Sequence, residues 1–173
     1  LLAWAKLIRT TDPDIITGYN IFGFDFKYLY DRAEMFKLVS DSDIEYKYDK
    51  YFNTLGRFKF RPCPLEENNL SSSALGQNLM YVPKMHGRVI IDLYKAIQRD
   101  HKLDEYKLDF VSKIFIGSKK DDVSAKEIFQ LQEGSDHDRM IVAKYCIQDN
   151  ILCNRLMEKL AILPNNVGMS NVC

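Results

Sequence analysis

The chain has 173 residues, of which 46% are hydrophobic and 28% are charged, a composition typical of a globular protein with one domain. Its 24 basic and 24 acidic side chains give a formal net charge of zero, so no global positive charge indicates nucleic-acid binding, and a local patch or bound metal ions would have to provide it. The apolar runs are too short to cross a bilayer, which argues against a membrane role.

The cysteines indicate a reducing, intracellular compartment. Four are present, Cys63, Cys146, Cys153 and Cys173, and they form no CxxC pair, while no signal-peptide pattern precedes them. The chain starts with Leu-Leu-Ala rather than Met, and we expect it to be a piece excised from a longer protein.

The first third of the chain predicts a helix, a strand and a second helix. Apolar residues recur with helical periodicity over residues 1–11, and Thr-Asp-Pro ends that helix. The stretch DIITGY, residues 14–19, predicts a short buried strand with Gly18 at its exit. The next helix is expected from about Asp25 to Lys37.

The rest of the chain predicts a β-rich insertion and then mainly helices. Residues 39–88 are rich in charge and turn residues, whereas RVIIDLYKAIQ predicts a strand over 88–91 that leads into a helix with Asp92 as its N-cap. Further helices are expected near 107–115, 124–131 and 136–160, the last one stopping before Pro164. Strands that alternate with helices predict an α/β fold.

Asp149 is an acid on an apolar helix face. Residues three, four and seven positions away on a helix share its face, and they are Val142, Tyr145, Cys146, Leu152, Cys153 and Leu156. Burying a carboxylate in such a stripe costs roughly several kcal/mol of folding free energy unless the carboxylate is paired, protonated or bound to metal. The structural alternative is that Asp149 pairs with Lys144 or Arg155. Taken alone, Tyr145 is typical of an aromatic residue in a protein core.

Asp25 raises the same question in GYNIFGFDFKYL, residues 18–29, where it is the one acid and lies between Phe24 and Phe26. The preceding strand should deliver it to the carboxyl edge of a sheet, where ligand sites of α/β proteins lie. Two acids against apolar faces suggest a shared hard cation such as Mg²⁺, which takes carboxylate oxygens. An ordinary helix N-cap is the alternative interpretation of Asp25.

The residues resemble a known family. DPDIITGYNIFGFDFKYL resembles the second exonuclease motif of family B DNA polymerases, and AKYCIQDNILCNRLMEKL resembles the third, with tyrosine and aspartate four residues apart. GRVIIDLYKAIQRDHKLDEYKLDFVSKIFIG resembles the segment that connects them. The resemblance spans nearly the whole chain and is strongest to delta-type and large-DNA-virus polymerases.

The resemblance implies an RNase H-like 3′–5′ exonuclease fold, incomplete here, with a mixed sheet flanked by helices. It implies that Asp25 and Asp149 are catalytic ligands of two Mg²⁺ or Mn²⁺ ions and that Tyr145 orients the attacking water. It also implies that Asn20 and Phe24 bind the single-stranded 3′ end of a DNA primer, with Phe24 packing against a base.

The resemblance also implies the organisation of the chain. Residues 1–163 correspond to a partial exonuclease domain, with the β-rich insertion at about 39–88, and residues 164–173 begin the connection to the following polymerase region. The family's first motif supplies an aspartate and a glutamate from a strand expected upstream of residue 1. Because those ligands are missing, we expect this polypeptide alone to have little or no nuclease activity.

A basic and aromatic segment offers a second candidate for DNA contact. Arg57, Lys59 and Arg61 alternate with Phe58 and Phe60, which predicts a strand with one basic and one aromatic face. Contact with DNA phosphates is one interpretation. A solvated hairpin that covers the core is the one we favour, because a half-buried strand requires the same alternation.

The function favoured by these patterns is proofreading by a replicative DNA polymerase. DNA, the remainder of the polymerase and accessory subunits are the expected partners, no membrane is involved, and a nuclear or viral replication compartment is expected. The alternative is a non-catalytic nucleic-acid-binding or scaffold domain derived from the same fold.

Overall fold

The structure, a computed structural model, describes residues 1–42, 44, 48–58, 60–72, 76–118 and 124–172. The chain divides into two compact units, Leu1–Asp92 and Leu93–Cys173. Of the helices in the described ranges, none combines the length and the apolar character needed to span a membrane. The predicted mixture of helices and strands is confirmed.

In its described residues, the first unit contains two helices, a single 3₁₀ turn and four strands. They are α1 (Leu2–Thr11), β1 (Ile15–Gly18), α2 (Asp25–Met35), the 3₁₀ turn Tyr48–Lys50, β2 (Leu65–Ser72), β3 (Gly76–Pro83) and β4 (Val89–Asp92). Helix α1 ends where the sequence predicts, because Asp12 takes a left-handed conformation with φ 45° and its NH bonds to Ile8 O at 3.1 Å.

Two small sheets organise this unit. Strands β1 and β4 pair in parallel, from Ile15 opposite Val89 to Gly18 opposite Asp92, and β2 and β3 form an antiparallel hairpin. Because β1 and β4 run in the same direction, the chain leaves both strands at the same edge. The segment after Gly18 therefore starts beside Asp92.

The core of the first unit is built on the inner face of α2. Phe26, Tyr30 and Ala33 are buried there and pack with Ala5 of α1 and Phe52. The Tyr30 hydroxyl donates to Cys63 O at 2.6 Å, and burial raises the pKa of Tyr30 above its ordinary value. The packing of this face fixes the orientation of α2. The first residue of α2, Asp25, lies after the turn that leaves β1.

The second unit is helical in its described residues. It contains α3 (Leu93–Asp100), α4 (Leu108–Ile116), α5 (Ala125–Glu133), α6 (Asp136–Lys159) and α7 (Ile162–Ser170). Helices α4, α5 and α7 each contact α6, which buries Leu152, Cys153 and Leu156. Helices α3, α4, α5 and α6 lie close to their predicted positions.

Helix α7 was not predicted. Ala161 has φ 47° and separates it from α6, and Pro164 is its third residue. Proline is tolerated in a first helical turn because the NH that it lacks has no partner within the helix. Pro164 therefore correctly indicated that α6 ends before it, but it also lies in the first turn of α7, which its presence did not predict.

The predicted strand at residues 57–61 is wrong. Arg57 and Phe58 lie in a bend, Phe60 lies in a turn and Arg61 is in no regular element, while Lys59 falls outside the described residues. The side chains of Phe58 and Phe60 are 60% and 56% exposed. Without a buried aromatic face, the alternation of basic and aromatic residues does not produce a half-buried strand.

Candidate functional site

The turn between β1 and α2 brings the predicted residues Asn20, Phe24 and Asp25 together. Asn20 has a left-handed backbone with φ 60°, and its carbonyl accepts the NH groups of Gly23 at 3.1 Å and Phe24 at 3.2 Å. These bonds reverse the chain at the edge of the β1–β4 sheet. Ligand sites of α/β proteins commonly lie at such an edge.

Asp92 holds this turn from the end of β4. Its Oδ1 accepts the Asn20 NH at 2.8 Å and its Oδ2 accepts the Phe22 NH at 3.0 Å, and the residue is only 3% exposed. Asp92 directly precedes α3, as the predicted N-cap would. These two hydrogen bonds, across about 70 residues of sequence, are what the local pattern could not predict.

The glycines of the turn leave room for its side chains. A Cβ at Gly23 would collide with Asn20 Oδ1, and a Cβ at Gly18 would approach Ile21 Cγ2 to 2.5 Å. The Asn20 carboxamide therefore occupies the space that a side chain at residue 23 would take.

Phe24 and Tyr28 form a stacked pair on the exposed side of α2. Their ring centroids are 5.9 Å apart and the planes differ by 9°, while the two residues are 63% and 53% exposed. Large aromatic rings are usually buried. This pair presents a flat, solvent-accessible surface next to Asp25.

Asp25 is exposed rather than buried on an apolar face, which corrects the expectation from its phenylalanine neighbours. Only Phe26 of the two is buried. The alternative interpretation as N-cap is also wrong, since Phe24 occupies that position and Asp25 is the first residue of α2. Partial loss of solvent around the carboxylate, followed by the charge of Asp92, raises the pKa of Asp25.

Tyr145 and Asp149 lie one turn apart on α6, as predicted. Both are half-buried, and Asp149 Oδ1 is buried from solvent. The predicted apolar stripe is confirmed at Leu152, Cys153 and Leu156. Cys146 departs from it because its side chain is exposed.

A capping box starts α6. The Ser135 hydroxyl accepts the Asp138 NH at 3.3 Å, and Asp138 Oδ2 accepts the Ser135 NH at 2.8 Å. These hydrogen bonds hold the pKa of Asp138 below its ordinary value. The box fixes where the helix begins, and hence which way its later residues face.

The site residues thus form two groups, one in each compact unit: Asn20, Phe24 and Asp25 in the first, Tyr145 and Asp149 in the second. Within the part of the chain that the structure describes, no three His, Cys, Asp or Glu side chains are grouped so that they could hold a metal ion. Asp25 and Asp149, each in its own unit, carry carboxylate oxygens of the kind that Mg²⁺ or Mn²⁺ takes.

Arg57 belongs to a structural ion-pair network rather than to the exposed aromatic surface. Its guanidinium bonds to Asp12 Oδ1 at 3.0 Å and to Asp14 Oδ1 at 2.5 Å, and Asp12 also pairs with Arg88 at 2.8 Å. The Arg88 side chain is only 2% exposed. Hydrogen bonds from the two arginines, Arg57 first, lower the pKa of Asp12.

Comparison of the sequence with known proteins identifies a family. The model of the exonuclease domain of family B DNA polymerases matches residues 1–111, which include the turn, Phe24 and Asp25. The chain belongs to this exonuclease-domain family.

Relatives extend the similarity of the exonuclease domain through α6. The DNA polymerase of Pyramimonas orientalis virus is 38% identical over 227 aligned residues, covering 98% of this chain and 18% of the viral protein. The DNA polymerase delta catalytic subunits of Dictyostelium discoideum and Oryza sativa subsp. japonica are 41% and 40% identical, each match covering 99% of this chain and 15% of the relative. The exonuclease domain described here therefore spans less than a fifth of these relatives.

Sequence reasoning missed two residues of this site in the exonuclease domain, Tyr28 and Asp92. Tyr28 follows Phe24 by one helical turn, a spacing that could have indicated a stacked pair. Asp92 gave no comparable signal, because its partners Asn20 and Phe22 are distant in sequence.

Proposed function

We propose that this chain acts as the 3′–5′ proofreading exonuclease domain of a replicative family B DNA polymerase, hydrolysing 3′-terminal nucleotides of single-stranded primer ends. The observation that carries the proposal is the exposed Phe24–Tyr28 stack next to Asp25, inside the region that matches the family. An RNase H-like fold over residues 1–163, leading into the next polymerase region, is part of the proposal.

The aromatic pair accounts for binding of a frayed primer end without base preference. A ring that exposes its face can stack on any base, at about 1–3 kcal/mol per base. In support, the Phe24 ring is exposed and the Tyr28 ring stacks against it in a nearly parallel orientation. The Asn20 carboxamide, lying over Gly23, supplies a polar partner for the sugar–phosphate backbone.

The hydrolysis is assigned, as part of this proposal, to the side chains of Asp25, Asp149 and Tyr145. The two carboxylates would hold divalent cations, Mg²⁺ or Mn²⁺, which when bound supply an activated water and stabilise the leaving 3′ oxygen. The Tyr145 hydroxyl would orient the water. Further acidic ligands are needed for the complete site, so we expect the isolated chain to release few or no nucleotides.

The proposed partners are DNA, the remainder of the polymerase and accessory subunits, in a nuclear or viral replication compartment. Relatives named as delta catalytic subunits and as a viral DNA polymerase support this setting. DNA synthesis would belong to other parts of the polymerase.

The test uses the polymerase that carries this domain, a 5′-labelled single-stranded oligonucleotide and Mg²⁺. Asp25→Ala or Asp149→Ala is expected to slow nucleotide release by at least about 100-fold, since one lost electrostatic contact of a preorganised site costs roughly that much. Primer extension should persist, and Asp41→Ala, which removes an exposed acid of the first unit, should change neither activity.

Two results would contradict the proposal. Unchanged nucleotide release in both aspartate variants would favour the non-catalytic scaffold. Release by the isolated chain with Mg²⁺, abolished by Asp149→Ala, would show that the acids present here suffice for the metal site.

A further inference from the structure

We propose that Asp92 is a positioning residue that sets the turn carrying Asn20 and Phe24 in the conformation that binds single-stranded DNA. The inference rests on the proposed function of that turn. It gives Asp92 a role that neither a helix N-cap nor a metal ligand describes.

The β1–β4 register places the carboxylate where the turn needs it. Gly18 and Asp92 are opposite each other at the last pair of the parallel strands. Two residues beyond Gly18, the Asn20 NH meets Oδ1 at 2.8 Å, and the Phe22 NH meets Oδ2 at 3.0 Å. Each carboxylate oxygen therefore receives a backbone donor from the same turn.

The burial of Asp92 makes these bonds strong. The residue is 3% exposed, and a buried carboxylate is stable only when it is paired or hydrogen-bonded. Hydrogen bonds to an ionised acceptor are about twice as strong as those between neutral groups. The two amides are consequently held at fixed positions relative to the end of β4.

The conformation that they hold includes a left-handed residue. Asn20 has φ 60°, in a region that asparagine adopts more readily than most residues other than glycine. The bonds from Gly23 and Phe24 to Asn20 O depend on that conformation, and they place Phe24 at the start of α2. Asp92 thus acts on the DNA-binding side chains through the backbone, without touching DNA.

The role differs from that of a ligand in a way that can be measured. A metal ligand affects DNA binding only when the cation is present, whereas a positioning residue affects it in EDTA as well. The experiment therefore measures the affinity of this chain for fluorescein-labelled dT10 by anisotropy in EDTA, at temperatures where every variant is folded.

Asp92→Asn replaces one acceptor oxygen with a donor, so it should break one bond and weaken the other. We expect about a tenfold loss of dT10 affinity, equivalent to one charge-assisted hydrogen bond. The Asn20 and Phe22 amide resonances should move upfield and exchange faster with solvent. Thr17→Val is the matched control, since Thr17 donates to Ile91 O at 2.9 Å between the same strands without contacting the turn.

Thr17→Val should lower stability and leave dT10 affinity within about twofold, as one neutral bond outside the turn is lost. Equal affinities of Asp92→Asn and Thr17→Val would overturn the proposal. If Asp92→Asn does not fold, hydrogen exchange of the wild-type protein replaces it. Fast exchange of the Asn20 and Phe22 amides would then overturn the proposal, whereas slow exchange supports it.

Failure of the proposed function gives a different result. If Phe24→Ala binds dT10 as tightly as wild type, this turn does not contact DNA through Phe24. The amide resonances and exchange rates of Asn20 and Phe22 still report independently whether Asp92 fixes the turn.

Discussion

The rings of Phe24 and Tyr28 lie nearly parallel, 9° apart in plane with centroids separated by 5.9 Å, although both residues are more than half exposed. Helical geometry places residues four apart on one face, so α2 itself builds the pair. Its exposure distinguishes it from the buried Phe26 and Tyr30 on the opposite face.

Phe24→Ala should therefore weaken binding of dT10 by about tenfold, in the lower part of the range for one lost stacking contact. Tyr28→Ala should have a smaller effect in the same direction, because Phe24 remains but loses its support. Phe129→Ala is the control, since Phe129 of α5 is 72% exposed. Fluorescence anisotropy measures the affinities, and equal losses in the Phe24 and Phe129 variants would contradict the assignment.

Gly23→Ala should separate DNA binding from stability. The new Cβ would meet the end of the Asn20 side chain, which can rotate away, so the free energy of unfolding should change little. Displacing the carboxamide should reduce dT10 affinity about two- to tenfold, as for one lost hydrogen bond. Gly168→Ala, where a Cβ meets nothing within 4 Å, should leave affinity unchanged and stabilise α7 by up to about 1 kcal/mol.

Asp12→Asn should lower the free energy of unfolding at pH 7 and alter its pH dependence. Arg57 and Arg88 lower the folded-state pKa of Asp12 below the ordinary 3.8. The stabilisation is therefore present above pH 3.8 and lost as pH falls through the lower folded-state pKa. Urea denaturation from pH 7 to 2.5 should show the stability difference between the two proteins shrinking as the pH falls below 3.8. A difference in unfolding free energy that stays constant over this pH range would exclude the ion pairs as its cause. Asp41→Asn is the control.

Ser135→Ala removes the hydroxyl that accepts the Asp138 NH at the start of α6. The expected cost is about 1 kcal/mol of unfolding free energy, as for other N-caps. Ser170→Ala is the matched control, because the Ser170 hydroxyl donates to Val167 O at the opposite end of a helix. Urea denaturation measures both, and equal small changes would show that the capping box contributes nothing.

Tyr30→Phe should destabilise the first unit by about 1–3 kcal/mol, since it leaves the Cys63 carbonyl without its buried donor. The hydrogen bond it removes is 2.6 Å long, and Tyr30 is 3% exposed. Tyr28→Phe, which removes an exposed hydroxyl, should change stability by less than about 0.5 kcal/mol. Thermal denaturation of the two variants measures this difference. Equal midpoints would contradict the prediction.

Local patterns in the sequence determined the elements whose signals are local. Periodicity and end signals predicted helices α1 to α6, and short apolar runs predicted strands β1 and β4. The spacing of Tyr145 and Asp149 predicted that they share a face of α6, because a helix brings residues four apart together wherever it packs. The motif around Asp25 predicted the family, which the comparisons confirmed.

Tertiary structure decided everything that depends on distant residues. Asp25 is exposed because α2 turns Phe26, Tyr30 and Ala33 inward, and no local pattern says which face a core will cover. Asp92 looked like a helix cap, yet its carboxylate binds two amides about 70 residues earlier. Parallel pairing of β1 with β4 creates that contact, since only the folded sheet brings the ends of these two strands to one edge.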